Sequence, residues 1–148
     1  MPETAPDVTE GLARHILAGA FRAAEARYDA YQRIFDPILV SNADGIILFA
    51  NASAEAFFGY WIGTMRGVLV DELVPDTLRD GHKELRARFF ELPTARPMAA
   101  NRQLVARRKD GTEVPVQISL SPDTVDGVPC VVAVVRDTRQ WQGPGHVE

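Results

Sequence analysis

The sequence predicts an α+β fold, a five-stranded antiparallel sheet with short helices on one face and an N-terminal amphipathic helix in front. Three observations predict it. Two short apolar runs around an Asp-Gly turn open the domain, three strand-like runs close it, and the stretch between them carries helical signals and breakers. Strands grouped at both ends with helices between them fit segregated α+β packing, not the alternating order of a parallel sheet.

Taken in order, residues 1–9 hold two prolines and no periodicity, and read as a disordered leader. Over 10–35, Leu17, Phe21, Ala24, Tyr28, Tyr31 and Phe35 recur alternately four and three apart, which puts them on one stripe of a helix. That is the rhythm of a coiled-coil seam, sustained for under three heptads. Two readings stand. The helix packs on its own domain, or Leu17, Phe21, Ala24, Tyr28 and Tyr31 form a homodimer interface, whose tyrosines suit a partly wet surface.

Pro37 stops the helix. Residues 37–42 and 45–50 then read as two strands of a hairpin, with Asp44-Gly45 as the tight turn. Asn51 is placed to cap a helix carrying Ala54, Phe57 and Phe58, and Gly59 to end it in the left-handed conformation. Short helical turns fill 60–76, and a longer helix runs from about Asp76 to Glu91, before Pro93 and Pro97. Strands follow over Arg102–Arg108, Glu113–Ser121 and Val128–Val135, with turns at Asp110-Gly111 and Asp126-Gly127. In the middle one, Val114, Val116, Ile118 and Leu120 alternate with polar residues or proline, so one sheet face is buried. Residues 140–148 read as a flexible tail.

Composition narrows the function. With 46% hydrophobic and 24% charged residues the chain is an ordinary globular domain. A net charge of -4 argues against nucleic acid, and Arg107-Arg108-Lys109 beside Asp110-Gly111 reads as a solvated hairpin end. The N-terminus has no signal-peptide run and no apolar run is long enough to span a bilayer, so a cytoplasmic protein is expected. Cys130 is the single cysteine, which excludes an intrachain disulfide and a multi-cysteine metal site. The sequence lacks a phosphate-binding glycine loop, a His-Glu-x-x-His helix and a Gly-x-Ser-x-Gly elbow, so no enzyme is expected. Asp71, Glu72 and Glu84 read as solvated carboxylates, and Trp61 as a lid over the helical layer.

The stretch Asn51-Ala-Ser-Ala-Glu-Ala-Phe-Phe-Gly59-Tyr60 resembles the PAS-domain signature, in which Asn opens a helix that Phe-Gly-Tyr ends. Gly67, Val74-Pro75, Arg107-Arg-Lys-Asp-Gly111 and Val134-Val-Arg-Asp137 follow in the order and spacing of the same family. The resemblance covers 36–139 and implies a sensory, signal-transducing module with a pocket between helices and sheet, a homodimer, and an output domain or partner of two-component or transcriptional type. It departs after Asp137: Thr138-Arg139, Trp141 and Gly143-Pro144-Gly145 encode no long output helix. The expectation is a piece of a larger regulator, or a signal that leaves through the N-terminal helix.

Within the family, the segment around Arg79-Asp-Gly-His82 resembles that of heme-PAS oxygen sensors, whose axial His follows an Arg by three residues. Leu78, His82, Leu85 and Phe89 recur four, three and four apart, which sets the imidazole on an apolar inward stripe. The resemblance implies heme b as candidate cofactor, His82 as its axial ligand and Arg102 as donor to the bound gas; Arg102 otherwise pairs with Glu55 or Glu91 or lies at a strand edge, and Met98 reads as a gap filler or a sixth ligand. Leu85, Phe89, Leu104 and Ile118, with Phe57 and Phe58, would line the pocket. The alternatives are a small-molecule binder and a ligand-free protein–protein interaction domain, with His82 an ordinary core histidine. A flavin attached through a cysteine is not implied, because Cys130 falls on the last strand and not on a mid-domain helix.

Overall fold

A computed structural model of the chain describes residues 8–97 and 104–139. Helix α1 (Val8–Tyr28) and a 3₁₀ turn (Asp29–Arg33) lead into strands β1 (Ile38–Asn42) and β2 (Ile47–Ala50). Helix α2 (Ala52–Phe58), 3₁₀ turns at Val70–Leu73 and Asp76–Leu78, and helix α3 (Arg79–Glu91) follow. Strands β3 (Arg96–Pro97), β4 (Leu104–Arg107), β5 (Glu113–Val125) and β6 (Val128–Asp137) complete the fold. The helix expected from residue 10 already includes Val8 and Thr9.

All strand pairs are antiparallel, in the order β2-β1-β6-β5, and both β3 and β4 lie on the free edge of β5. Arg96 faces Leu120 and Leu104 faces Val116, so β3 and β4 act as two pieces of one edge strand, and the sheet has the expected five positions. The first and last described strands meet in its middle: β1 pairs along its length with β6 from Ile38↔Val134 to Asn42↔Cys130.

Asn51 explains how β2 passes into α2. Its Oδ1 accepts from Ala54 N–H at 2.9 Å, the N-cap bond, and also from Ile38 N–H at 2.9 Å. Its Nδ2 donates to the carbonyls of Tyr31 and Asp36 at 3.0 and 2.9 Å. One buried amide thus fixes the strand entry, the helix start and the end of the α1 segment together. Gly59, at φ +83°, closes α2 as expected.

The two faces of the sheet carry separate clusters. Leu39, Ile47, Val114, Val116 and Val135 pack under Ala54, Phe58, Met65 and Leu73 on the inner face. Ile38, Val40, Leu48, Val125, Cys130 and Val132 form the outer face, and α1 covers it with Ala24 and Tyr28. Burial pushes the Cys130 thiol up, with the nearby Asp123 charge adding to it, which keeps the sulfur in its unreactive form.

This placement fits the first of the two readings, a helix packed on its own domain. Ala24 is fully buried and Tyr28 is 2% exposed against the chain's own sheet, while Leu17, Phe21 and Tyr31 are half-buried around them. The four-three rhythm is real, but it records a helix docked on a sheet. Phe21 lies beneath the Arg66 guanidinium, 5.2 Å from its ring centre, so this residue too has an intrachain neighbour.

Candidate functional site

The site is built around a buried carboxylate that the sequence pattern made look solvated. The chain after α2 runs back along β2: Gly67 N–H donates to the Ile47 carbonyl at 2.8 Å, and Ile47 N–H to the Val68 carbonyl at 2.9 Å. Val70 N–H then donates to the Gly45 carbonyl at 2.8 Å and starts the 3₁₀ turn Val70–Leu73 beside the β1–β2 turn. Within that turn Asp71 and Leu73 face inward, and Asp71 is 4% exposed. Glu72 and Glu84 remain exposed.

A buried carboxylate must be paired and hydrogen-bonded to persist. Helix α3 supplies both partners. His82 Nδ1 lies 2.7 Å from Asp71 Oδ1, and Arg86 Nη1 lies 2.5 Å from Oδ2. The two donors are four residues apart, hence neighbours on one helix face. Burial pushes the Asp71 carboxyl up, but hydrogen bonds from His82 and Arg86 outweigh it and hold the group below the usual carboxylate range. The Arg86 guanidinium also fills the space over Gly45, where a Cβ would stand 2.5 Å from Nη1. At the start of the helix, Arg79 pairs with Asp76 at 3.0 Å and donates to the Val74 carbonyl at 3.2 Å.

The inward face of α3 is therefore Arg79, His82, Arg86 and Phe89. His82 and Phe89 point inward as expected. Leu85 does not: it is 52% exposed, and Leu78 is likewise exposed. The apolar stripe misled because α3 docks through its polar side onto Asp71, which rotates the leucines toward solvent. Leu104 and Ile118 are half-buried against the inner core, on the sheet side. Arg102 and Met98 lie outside the described residues. Trp61 is 82% exposed and covers nothing, which corrects its reading as a lid.

The missed residues are Asp71 and Arg86. The signal that finds them is the His82-x-x-x-Arg86 pair, because two cationic or neutral donors on an inward face call for a buried acceptor.

Among the described residues no three His, Cys, Asp or Glu side chains come together as a metal-ion site. A porphyrin iron brings four nitrogens of its own and asks the protein only for an axial ligand. His82 has the right chemistry for that. Its Nδ1 is engaged by a carboxylate, the arrangement that orients metal-binding histidines, and Nε2 makes no hydrogen bond among the described residues. An open groove of about 590 Å³ lies beside the site and is lined by Tyr60, Val68, Glu72, Arg79, Arg107 and Lys109. It does not include His82, and its mixed charges favour no one ligand class.

With this geometry in hand, comparison with known proteins gives a consistent picture. A PAS-domain family model matches residues 36–140. Oxygen sensor protein DosP of Escherichia coli (strain K12) is 30% identical over 106 residues, which is 72% of this chain and 13% of that protein. Sensor protein FixL of Bradyrhizobium diazoefficiens is 27% identical over 125 residues, 84% of this chain and 25% of FixL. The chain thus spans a quarter or less of these relatives. Among solved structures, the PAS domain of a protein from Colwellia psychrerythraea superposes with a TM-score of 0.64 at 18% identity, over 80% of this chain and 98% of that one.

Proposed function

The chain belongs to the PAS family, and on that premise we propose that it is the sensory module of a larger regulator, with a b-type heme held by Nε2 of His82 as its sensing group. One observation carries the heme reading. His82 faces inward with its Nδ1 on the buried Asp71 carboxylate, so the opposite nitrogen is the one offered to a ligand. The name of the relative DosP, an oxygen sensor, supports the same reading. Heme iron supplies a coordination position for a diatomic gas. The chain's own part is to hold the axial imidazole, to wall the site with Phe89, Leu104 and Ile118, and to pass a shift of α3 to the sheet.

Hemin titration of the purified chain tests this. A Soret band that saturates at one hemin per chain and is lost in His82→Ala supports it; a chain that stays colourless removes it.

A specific observation favours a second reading. His82 and Arg86 are both tied to Asp71 while Leu85 faces solvent, so α3 docks through polar contacts of the chain's own. In that reading the module is a protein–protein interaction domain with a filled interior, and native mass spectrometry finds no small molecule released on denaturation.

Homodimerisation belongs to either reading, with its contact moved along α1. Leu12 and Ile16, one helical turn apart, are 57% and 62% exposed ahead of the part that covers the sheet. Among the described residues no helix is long and apolar enough to cross a membrane. The output partner is a further domain or protein, in keeping with the small share of DosP and FixL that the chain matches.

A further inference from the structure

We propose that Asp71 is the positioning residue of the His82 site: its carboxylate accepts from the imidazole Nδ1 and so selects, for the neutral ring, the tautomer with the hydrogen on Nδ1 and the lone pair on Nε2. The part of this inference that concerns iron rests on the heme reading above; the part that concerns the ring does not.

The argument is one of donors and acceptors. Arg86 donates to Asp71 Oδ2, and a guanidinium has donors only. The remaining oxygen, Oδ1, faces His82 Nδ1 at 2.7 Å. A carboxylate oxygen in that position accepts, so Nδ1 must carry the hydrogen. A neutral imidazole has one N–H, and Nε2 is therefore bare, which is the form a metal ligand requires.

The carboxylate is itself held from both sides. Val70 N–H is bonded to the Gly45 carbonyl at 2.8 Å and Val74 N–H to the Asp71 carbonyl at 3.2 Å, which pins the turn against β2. Arg86 is confined over Gly45, the one residue at that turn with room for a guanidinium. The chain Gly45–Arg86–Asp71–His82 thus runs from the sheet to the imidazole and leaves the ring little freedom to turn.

Asp71→Asn is the discriminating variant, because it keeps the shape and changes only the hydrogen-bond code. Arg86 claims the amide oxygen, the amide NH₂ faces His82 Nδ1, and the ring must shift its hydrogen to Nε2. Long-range ¹H–¹⁵N correlation spectra of the heme-free chain, taken at a pH where the ring is neutral, read the tautomer directly, and a merely structural role for Asp71 would not invert it. The expected result is Nδ1–H in the wild type and Nε2–H in Asp71→Asn, with hemin affinity falling about 10- to 100-fold, as for other partners of metal-binding histidines. An Nε2–H ring in the wild type overturns the inference, and so does an Asp71→Asn chain with unchanged tautomer. If that variant does not fold, the wild-type tautomer decides alone. A wild-type chain with the expected tautomer but no hemin binding would sink the heme reading and leave Asp71's hold on the ring in place.

Discussion

The Tyr28 hydroxyl donates to Oδ2 of Asp123 at 2.6 Å, a bond between the last residue of α1 and the far end of β5. Arg27 completes it with a fork on the same carboxylate, Nη2 to Oδ1 at 2.7 Å and Nε to Oδ2 at 3.0 Å. These donors, Arg27 first, hold the Asp123 carboxyl down at about 2 against a burial effect that raises it. Burial, and then the bond to Asp123, push the Tyr28 phenol up. The contact is a latch between the N-terminal helix and the outer face of the sheet.

Removal of the hydroxyl in Tyr28→Phe is expected to cost about 1.5–3 kcal/mol at neutral pH, the range for a hydrogen bond to a charged acceptor. The pH dependence follows from the Asp123 shift. A carboxyl whose folded value is depressed stabilises the fold above its unfolded value of 3.8, and that contribution is lost as pH falls toward about 2. Urea midpoints of wild type and Tyr28→Phe should therefore differ most at pH 7 and clearly less at pH 2.5. An equal gap at both pH values would contradict the latch.

Glutamate at position 28 should unfold the domain, because the side chain it replaces is covered by the sheet and stacks on Phe49 at 5.7 Å between ring centres. A loss of more than about 3 kcal/mol is the scale for an aromatic core residue replaced by an uncompensated charge. Leu12→Glu with Ile16→Glu should instead leave the circular dichroism unchanged and halve the mass by light scattering. Dimers that survive this double change place the interface elsewhere.

Asn51→Ala removes the α2 cap and takes the side-chain partner from the Ile38 N–H and from the carbonyls of Ile34 and Asp36, while the Tyr31 carbonyl keeps the Ile34 N–H. The cap alone accounts for about 1 kcal/mol and each buried orphan for about 1–3. A fall of at least about 2 kcal/mol in unfolding free energy is expected; a change within error would mean that water replaces the amide.

Gly45→Ala places a methyl group against the Arg86 guanidinium on a backbone at φ +82°. The arginine end is flexible and can move, but the left-handed backbone still costs about 1 kcal/mol. The displaced Arg86 should weaken its hold on Asp71. The observable is a modest drop in melting temperature together with a shifted His82 ring signal; a shift in neither would detach Arg86 from the site.

Much of the fold was legible because it rests on local chemistry. Asp44-Gly45, Asn51 and Gly59 each need a particular backbone or cap, and each stands where the sequence placed it. The strand β3 was missed because two residues, one of them Pro97, leave no alternation to read. Strand β5 runs on to Val125 past Pro122, since β6 pairs along its whole length and carries it beyond the proline. The site was half legible. Periodicity found His82 and Phe89 on the inward face, but it scores only apolarity, so it could not see that a polar edge of α3 docks on a carboxylate eleven residues upstream of His82. The stripe on α1 has a related limit: spacing shows that it is buried, not what buries it.

Strand β6 lies in the middle of the sheet, with Ala133 and Val135 turned to the core and Cys130, Val132 and Val134 to the helix outside. Successive residues of a single strand thus touch the two compartments in turn. Any expansion of the interior that bends this strand is felt under α1 at once, with no relay of side chains between. A reporter dye on the exposed flank of α1 would therefore register events at the opposite surface through the thickness of one layer of backbone.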